Sequence, residues 1–275
     1  MRKVACYVPG ARFPSISVTG EECALGCPHC AGRPLAAMLP ARTPGKLSEI
    51  ASKLADDGAI GFLLSGGCSA DGILHLDGFL DAIRSIKSTT NLKINAHVGL
   101  PRASDAARLA GSGIDSFSIT YPMSDRIGRQ VLLVDDAMAR YREAFTALSG
   151  AGAKVIPHAL LGLGSCDEDI SGMEAIGEDP PGSLVAIAFI PLEGTPLGAM
   201  APTPDSRIIE PLKFARAIMP GTKLVLGCMR PRGKLEMERF LVENILDGIA
   251  MPAVRTARNG KTSFETVEGC CAVHL

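Results

Sequence analysis

The chain has 275 residues, of which 47% are hydrophobic but only 4% aromatic, and its formal net charge is −1. This length fits one large α/β domain, because α/β barrels commonly reach roughly 250 residues as a single unit. A core with few aromatic residues is built from Ala, Val, Ile and Leu, which suits parallel strands packed against helices. The near-zero charge, with Lys and Arg dispersed along the chain, gives no indication of a surface for nucleic acid or an anionic membrane.

Location in the cell is predicted from three features. No apolar run approaches the roughly 18 residues of a membrane-spanning helix. Residues 1–10 lack the continuous apolar core of a signal peptide, so a cytoplasmic protein is expected. In a reducing compartment, nine cysteines are ligands or buried thiols more often than a disulfide framework, and the odd number agrees with this.

The hydrophobic pattern alternates between short β-rich runs and longer amphipathic runs. Strands are predicted at 15–19, 60–65, 92–98, 114–121, 154–161, 184–190, 223–227 and 248–251. Helices are predicted at 44–57, 76–88, 102–110, 133–148, 168–177, 205–219 and 234–246. Eight β/α repeats predict an α/β fold of the TIM-type (β/α)8 class, with a single domain over 1–275. The barrel is expected to span about 13–258, and a cysteine-bearing tail at 259–275 is expected to fold over the active-site face.

The cysteines follow the ends of the predicted strands, where the chemistry of a (β/α)8 barrel gathers. Strands one, two, five and seven are followed respectively by Cys23, Cys27 and Cys30, by Cys68, by Cys166, and by Cys228. Cys270 and Cys271 lie in the tail. Chance burial of small thiols would not favour one end of the strands, so a common site at this face is predicted.

The first cysteine group lies in the run C-A-L-G-C-P-H-C, which contains Cys23, Cys27 and Cys30. Three thiolates on one loop can hold three irons of a [4Fe–4S] cluster and leave the fourth iron open, whereas ordinary electron-transfer clusters use four cysteines. The alternatives are a zinc loop or a chance group of thiols, but zinc sites come as two separated Cys/His hooks and no second C-x2-C hook is present. The C-x3-C-x2-C spacing resembles the signature of the radical S-adenosylmethionine (SAM) superfamily, in which a flat residue, here His29, precedes the last Cys. The resemblance implies a [4Fe–4S] cluster and SAM as cofactors.

A Gly-Gly turn closes the second predicted strand, in the run Ser65, Gly66, Gly67. Consecutive glycines let a backbone approach a ligand where a side chain would collide, although Gly-Gly also suits a plain turn. In radical SAM enzymes a similar turn binds the amino group of SAM through backbone carbonyls. The acidic residue that commonly ends the family's turn is absent here, so only the backbone role is implied.

Strands three and five carry polar residues toward the predicted barrel mouth. Asn95 and His97 share the parity of strand three, and His158 lies near the end of strand five. These side chains are candidates to bind SAM or substrate or to move a proton, while the alternative is that the histidines are satisfied core residues. On strand four, Ser116, Ser118 and Thr120 share a face and either line or fill a pocket.

Motifs in the second half of the chain resemble those of one group within this superfamily. The loop P-L-E-G-T-P-L at 191–197, the run L-G-C-M-R-P ending strand seven, and the terminal Cys-Cys pair look like a biotin-synthase-related group that includes the two-protein lipoyl synthases of archaea. Four thiols are candidate ligands of an auxiliary [4Fe–4S] cluster, namely Cys68, Cys228, Cys270 and Cys271, with Cys6 and Cys166 in reserve. The alternative is that Cys270 and Cys271 lie in an unstructured tail and that Cys228 is a buried thiol. Arg230 and Arg232 either clamp a carboxylate or are solvated.

The resemblance implies an enzyme that forms a 5′-deoxyadenosyl radical from SAM and abstracts hydrogen from an unactivated C–H bond. The expected reaction that follows hydrogen abstraction is the insertion of sulfur into an octanoyl-protein substrate. The alternatives are a radical SAM enzyme of another cofactor pathway, with rearrangement or C–C bond chemistry, and a non-catalytic Fe–S carrier or sensor. Expected partners are a ferredoxin-like reductant, a related radical SAM subunit, and an acyl-carrier-type protein or small-molecule substrate.

Overall fold

The computed structural model describes residues 2–253 and 262–275, and over these residues the chain is an α/β fold, as predicted. The strands are β1 Arg2–Val8, β2 Ser15–Ser17, β3 Leu39–Pro40, β4 Gly61–Ser65, β5 Lys93–His97, β6 Ser116–Tyr121, β7 Val155–Leu161, β8 Ser183–Ala188, β9 Lys223–Leu226, β10 Gly248–Ala250 and β11 Thr262–Glu268. The α-helices are α1 Pro44–Asp56, α2 Leu80–Thr89, α3 Ala106–Ala110, α4 Asp125–Val131, α5 Ala137–Gly150, α6 Cys166–Gly177, α7 Ser206–Ile218, α8 Leu235–Asn244 and α9 Cys271–His274.

The strands form one parallel sheet in the order β11-β1-β10-β9-β8-β7-β6-β5-β4-β2-β3. All eight predicted strands are present, as β2 and β4 to β10. The expectation of eight strands was nevertheless too low, since β1, β3 and β11 also belong to the sheet. Predicted strand eight, β10, pairs with β1 through Ala5 and Gly248, so the N-terminal strand extends the sheet beyond the eight β/α repeats.

Local sequence explains the helices that cover the sheet. In α1, the Thr43 side chain caps the helix by accepting a hydrogen bond from Lys46 N, 3.2 Å away, and Pro44 fits the first turn, where no backbone donor is needed. The buried residues Leu47 and Ala51 lie one turn apart and pack into the main core. In α6, Ser165 and Glu168 form a capping box. The predicted helices are all present, but α4 and α9 were missed because they are only seven and four residues long.

The C-terminal segment, defined here as residues 262–275, adds a strand to the edge of the sheet and then places a helix inside its curve. The predicted end of the barrel at 258 and start of the tail at 259 lie outside the described residues. From Thr262 to Glu268 the segment is β11, which pairs in parallel with β1 along its full length. Gly269 N then donates to Val8 O at 3.1 Å, and α9 follows.

The inside of the curved sheet, called the lumen below, is lined by inward side chains of β1, β7, β8, β9 and β10. These side chains are Tyr7, Ile156, Val185, Val225 and Ala250, and they pack around Cys271 and Ala272 of α9. On the opposite wall, α9 contacts β5 and β6. The segment therefore reaches both walls of the lumen. Among the described helices, none has the length and apolar character to cross a membrane.

Candidate metal and cofactor site

The loop after β2 holds the first three cysteines in a tight turn. Cys30 N and Ala31 N donate to Cys27 O at 3.1 and 2.7 Å, so the backbone reverses between the last two cysteines. The Cys27 and Cys30 side chains share a hydrogen bond, which lowers the pKa of Cys30 to about 4 and raises that of Cys27. The charge of Cys23 further raises the pKa of Cys27, since all three sulfurs lie near one another.

Two of these thiols also contact the backbone of other loops. Cys23 Sγ donates to Cys68 O at 3.9 Å, and Cys27 Sγ donates to Leu132 O at 3.8 Å. Across residues 2–253 and 262–275, no group of three or more Cys, His, Asp or Glu side chains is arranged as a metal-binding set.

The Gly-Gly turn after β4 lies directly against the cysteine loop. A Cβ on Gly67 would stand 2.0 Å from Glu22 O and 2.5 Å from Cys23 Cα, so only glycine fits. Gly67 N donates to Thr19 Oγ1 at 2.7 Å. Two further bonds, from Ala24 N and Leu25 N to Cys68 O at 3.0 and 3.1 Å, tie the same two loops together.

Thr19 was not singled out in the sequence, although its hydroxyl joins the two loops by accepting from Gly67 N and donating to Glu22 O at 2.9 Å. The available signal was its place at the end of a predicted strand with the same parity as Ser17. Ser65, the last residue of β4, is buried, and its carbonyl accepts from Val18 N at 2.9 Å.

The residues at this place fit an iron–sulfur cluster with a bound cofactor. Three thiols on one loop are the donor set that iron–sulfur clusters use, with one iron left unligated by protein. The Gly66–Gly67 turn gives backbone access beside them. His29 Nδ1 is buried and has no hydrogen-bond partner among the described residues, so it is available to a molecule bound there.

Cys68 belongs with this first group in the structure. Burial raises the pKa of Cys68 to about 12, with further contributions from the charges of Cys23 and Cys30. The predicted set of Cys68, Cys228, Cys270 and Cys271 is therefore divided, with Cys68 beside the first loop. The reason is the Cys68 carbonyl, which the cysteine loop holds through Ala24 and Leu25.

The remaining three cysteines of that set lie near one another at the lumen. Cys228 is exposed on the loop after β9, whereas Cys271 is buried among lumen residues. Burial and then the charge of Cys270 raise the pKa of Cys228. A hydrogen bond from Cys271 and burial act in opposite directions on Cys270, and the pKa of Cys270 is lowered.

The two reserve cysteines and the two predicted arginine clamps lie in other environments than a metal or substrate site. Cys6 alternates with Tyr7 on β1, so it faces away from the lumen. Cys166 begins α6 after the cap at Ser165. Arg230 is fully buried and paired with Glu238 at 2.7 Å, so neither alternative, a clamp on a substrate carboxylate or a solvated side chain, is correct for it.

Arg232, the other predicted clamp, is not fully solvated either. It donates to Met251 O at 2.9 Å and to Cys228 O at 2.8 Å. These two bonds hold the loop that bears Cys228 against the residue that follows β10.

Asn95, His97 and His158 lie on the inside of the curved sheet, where the two histidines contact each other. Asn95 is 1% exposed and contacts Ser116, Ser118 and the sulfur of Cys270. The rings of His97 and His158 stand edge to face with centroids 5.4 Å apart. Burial lowers the pKa of His97 to about 3 and that of His158 to about 4, so both rings are neutral at pH 7.

The loop at 191–197 also touches the cysteine loop. Leu197 N donates to Pro28 O at 3.2 Å, and a Cβ on Gly194 would stand 2.4 Å from the Arg33 guanidinium. Gly194 has a φ of +75°, which favours glycine. This contact joins the loops that follow β2 and β8.

Three thiols and a Gly-Gly turn therefore lie together beyond the carboxyl ends of β2 and β4, which are neighbours in the parallel sheet. The chain matches no protein-family model. Its sequence relatives include a biotin synthase of Synechococcus sp. (strain JA-3-3Ab), 24% identical over 159 residues, which are 56% of this chain and 51% of that protein. Biotin synthase 2 of Paracoccus denitrificans (strain Pd 1222) is 23% identical over 231 residues, 81% of this chain and 71% of that protein. The aligned region thus spans only about half of the first relative.

Two solved structures are similar to this chain in fold. The FeFe-hydrogenase maturase HydG from Carboxydothermus hydrogenoformans has a TM-score of 0.64 at 16% identity and covers 90% of this chain and 58% of its own. Methylornithine synthase (PylB) has a TM-score of 0.63 at 15% identity and covers 90% of this chain and 72% of its own. In sequence the chain is thus similar to biotin synthases, and in fold it is similar to HydG and PylB.

Proposed function

We propose that this protein is a radical SAM enzyme that inserts sulfur into an unactivated C–H bond, in the manner expected of a lipoyl-synthase-like enzyme with an octanoyl-protein substrate. When bound, the [4Fe–4S] cluster and SAM supply the electron and the 5′-deoxyadenosyl radical. The observation that carries the proposal is the joining of the three-thiol loop to a glycine turn that has no room for a Cβ.

The chain's own residues support binding and orientation at this place. Cys23, Cys27 and Cys30 would hold the cluster, and the Gly66–Gly67 backbone would present its carbonyls to the amino group of SAM. His29 offers a buried, unpartnered Nδ1 beside the thiols. His97 and His158 are kept neutral by burial, so each ring offers one hydrogen-bond donor and one acceptor without carrying charge into the lumen.

The gathering of Cys228, Cys270 and Cys271 at the lumen supports a second metal site, and its sulfides are the sulfur source in this proposal. The burial of Cys271 and Ala272 supports exclusion of water from the reacting centre by the C-terminal segment. A ferredoxin-like reductant, a related radical SAM subunit and an acyl-carrier-type protein are the partners that the proposal requires, and the protein is taken to work in the cytoplasm.

The first test replaces Cys27 by Ala. This change removes one of three thiols from the loop, so iron binding at the first site and formation of 5′-deoxyadenosine from SAM under reducing conditions should both be lost. The measurement is anaerobic product analysis, with Cys6→Ala as the control because Cys6 faces away from the lumen. A Cys27→Ala protein that forms 5′-deoxyadenosine at the wild-type rate contradicts the proposal.

Mass spectrometry of the product of the active enzyme separates the enzymatic alternatives. Sulfur in the product supports sulfur insertion. A rearranged or C–C-bonded product without sulfur indicates another cofactor pathway, and the absence of any SAM cleavage by the wild type indicates an Fe–S carrier or sensor.

A further inference from the structure

Asn95 occupies the middle of the lumen wall with a fixed amide orientation. Its Oδ1 accepts hydrogen bonds from Ser116 Oγ at 3.1 Å and Ser118 Oγ at 3.0 Å. A side-chain amide has one acceptor oxygen and one NH2 donor group. Because two hydroxyls engage the oxygen, the amide presents only its N–H groups to the lumen.

The group that Asn95 faces is the sulfur of Cys270. Nδ2 lies 3.8 Å from Cys270 Sγ, and the two residues are 175 positions apart in the chain. A thiolate or a metal-bound sulfur accepts a hydrogen bond from an N–H group, whereas Asn95 here has no free acceptor for a thiol proton. The arrangement is thus suited to the deprotonated or ligating form of Cys270.

The surroundings make this contact the polar anchor of the C-terminal segment on the β5 wall. The neighbouring Cys271 and Ala272 are held by apolar packing against β1, β7, β8, β9 and β10. At the far side of α9, Lys154 Nζ donates to Val273 O at 3.4 Å. Apolar packing sets the depth of the helix, whereas hydrogen bonds to the sulfur of Cys270, from Cys271 within the segment and from Asn95 on the wall, fix where that sulfur points.

We propose that Asn95 is a positioning residue for Cys270, which it orients toward Cys228 and to whose sulfur it donates a hydrogen bond when that sulfur ligates metal. The proposal rests on the second metal site of the proposed function. It assigns Asn95 to the C-terminal segment instead of to SAM, and Ser116 and Ser118 act only by fixing the amide.

The first experiment measures how firmly the segment is held in the full-length chain, purified anaerobically without added iron. In Asn95→Asp and Asn95→Leu, hydrogen exchange at 269–275 should be at least about tenfold faster, the loss expected for a hydrogen bond to a charged group. The Ser116→Ala/Ser118→Ala double variant should change this rate in the same direction. Thr120→Ala, which removes another hydroxyl from the same face of β6, is the control and should leave this rate at the wild-type value.

The second experiment measures the reduction potential of the second iron–sulfur centre after anaerobic reconstitution with iron and sulfide. A donor to a ligating sulfur stabilises the more negative, reduced form, so Asn95→Leu should lower this potential while Thr120→Ala leaves it unchanged. Unfolding of the variant is separated from this effect by hydrogen exchange of β6 and β7, which must match the wild type.

The outcomes separate this proposal from the proposed function. A wild-type protein that takes up only the iron of the first site contradicts the second metal site, and the exchange rate at 269–275 alone then decides the role of Asn95. An exchange rate that equals the wild-type rate in both Asn95 variants overturns the proposal. An unchanged potential in Asn95→Leu overturns the hydrogen bond to the ligating sulfur.

Discussion

Gly67 has no room for a side chain, and this gives a test at the scale of one residue. Replacing Gly67 by Ala would drive Cβ into Glu22 O and Cys23 Cα, so the cysteine loop must move. We expect a loss of about 1–3 kcal/mol in the free energy of unfolding and loss of SAM binding, measured by denaturant titration and equilibrium dialysis.

Gly45 provides the matched control for this substitution. It lies in the first turn of α1, and a Cβ there would have nothing within 4 Å. Gly45→Ala should be neutral or stabilising by about 0.5–1 kcal/mol. Equal effects of the two substitutions would show that the contact between the Gly-Gly turn and the cysteine loop does not matter for stability.

The buried histidine pair predicts a pH dependence of stability. Burial lowers the pKa of His158 to about 4, below the value of about 6.5 in an unfolded chain. As the pH falls below about 6.5, the unfolded state binds a proton that the folded state does not, so stability is complete above this pH and is lost toward pH 4. The loss from this residue is about 2 kcal/mol at pH 5.

A neutral side chain at this position should remove part of that dependence. His158→Gln should reduce by about 2 kcal/mol the difference in unfolding free energy between pH 7.5 and pH 5. His75, which is exposed, supplies the control variant His75→Gln, for which the difference should equal that of the wild type. A His158→Gln protein with the full wild-type difference would show that His158 is not the titrating group. The measurement is chemical denaturation at both pH values.

At the scale of the element, the C-terminal segment combines an edge strand with a helix in the lumen. Deleting residues 268–275 removes α9 and leaves nearly all of β11 paired with β1. We expect the deletion to lower the iron content by about four per chain, the content of one [4Fe–4S] cluster, and to abolish any sulfur transfer. SAM cleavage should remain, because Cys23, Cys27 and Cys30 lie on another loop.

A second variant distinguishes the thiols from the helix that carries them. Cys270→Ser/Cys271→Ser keeps α9 but should lose the same iron, and its hydrogen exchange at β5 and β6 should stay closer to the wild type than that of the deletion. Iron analysis and exchange mass spectrometry are the two measurements. Full iron content in the deleted protein would contradict the second metal site.

At the scale of the whole molecule, the sheet brings two groups of thiols to separate places. Cys68 lies with the first loop and Cys270 with Cys228, although Cys68 was predicted to join the latter. The triple variant Cys23→Ala/Cys27→Ala/Cys30→Ala should therefore keep about four irons per chain, against about eight in the wild type. Anaerobic iron and sulfide analysis measures both. Complete loss of iron in the triple variant would indicate a single shared site.

The sequence by itself determined the elements and the first thiol group. The alternation of short β-rich runs and longer amphipathic runs depends on local preferences, so the predicted strands and helices are found within a few residues. The C-x3-C-x2-C loop and the Gly-Gly turn are also local features, and they follow adjacent strands of a parallel sheet, whose carboxyl ends lie at the same edge.

Only the tertiary structure decided how distant segments combine. The insertion of β1 between β10 and β11 pairs residues more than 240 positions apart, and no local pattern specifies such a partner. The same holds for Asn95 and Cys270, and for Thr19 and Gly67. A polar residue in a strand predicts a wall of the barrel, but which group it meets is set by sheet order and by the path of the chain, because these contacts depend on the packing of all the elements together.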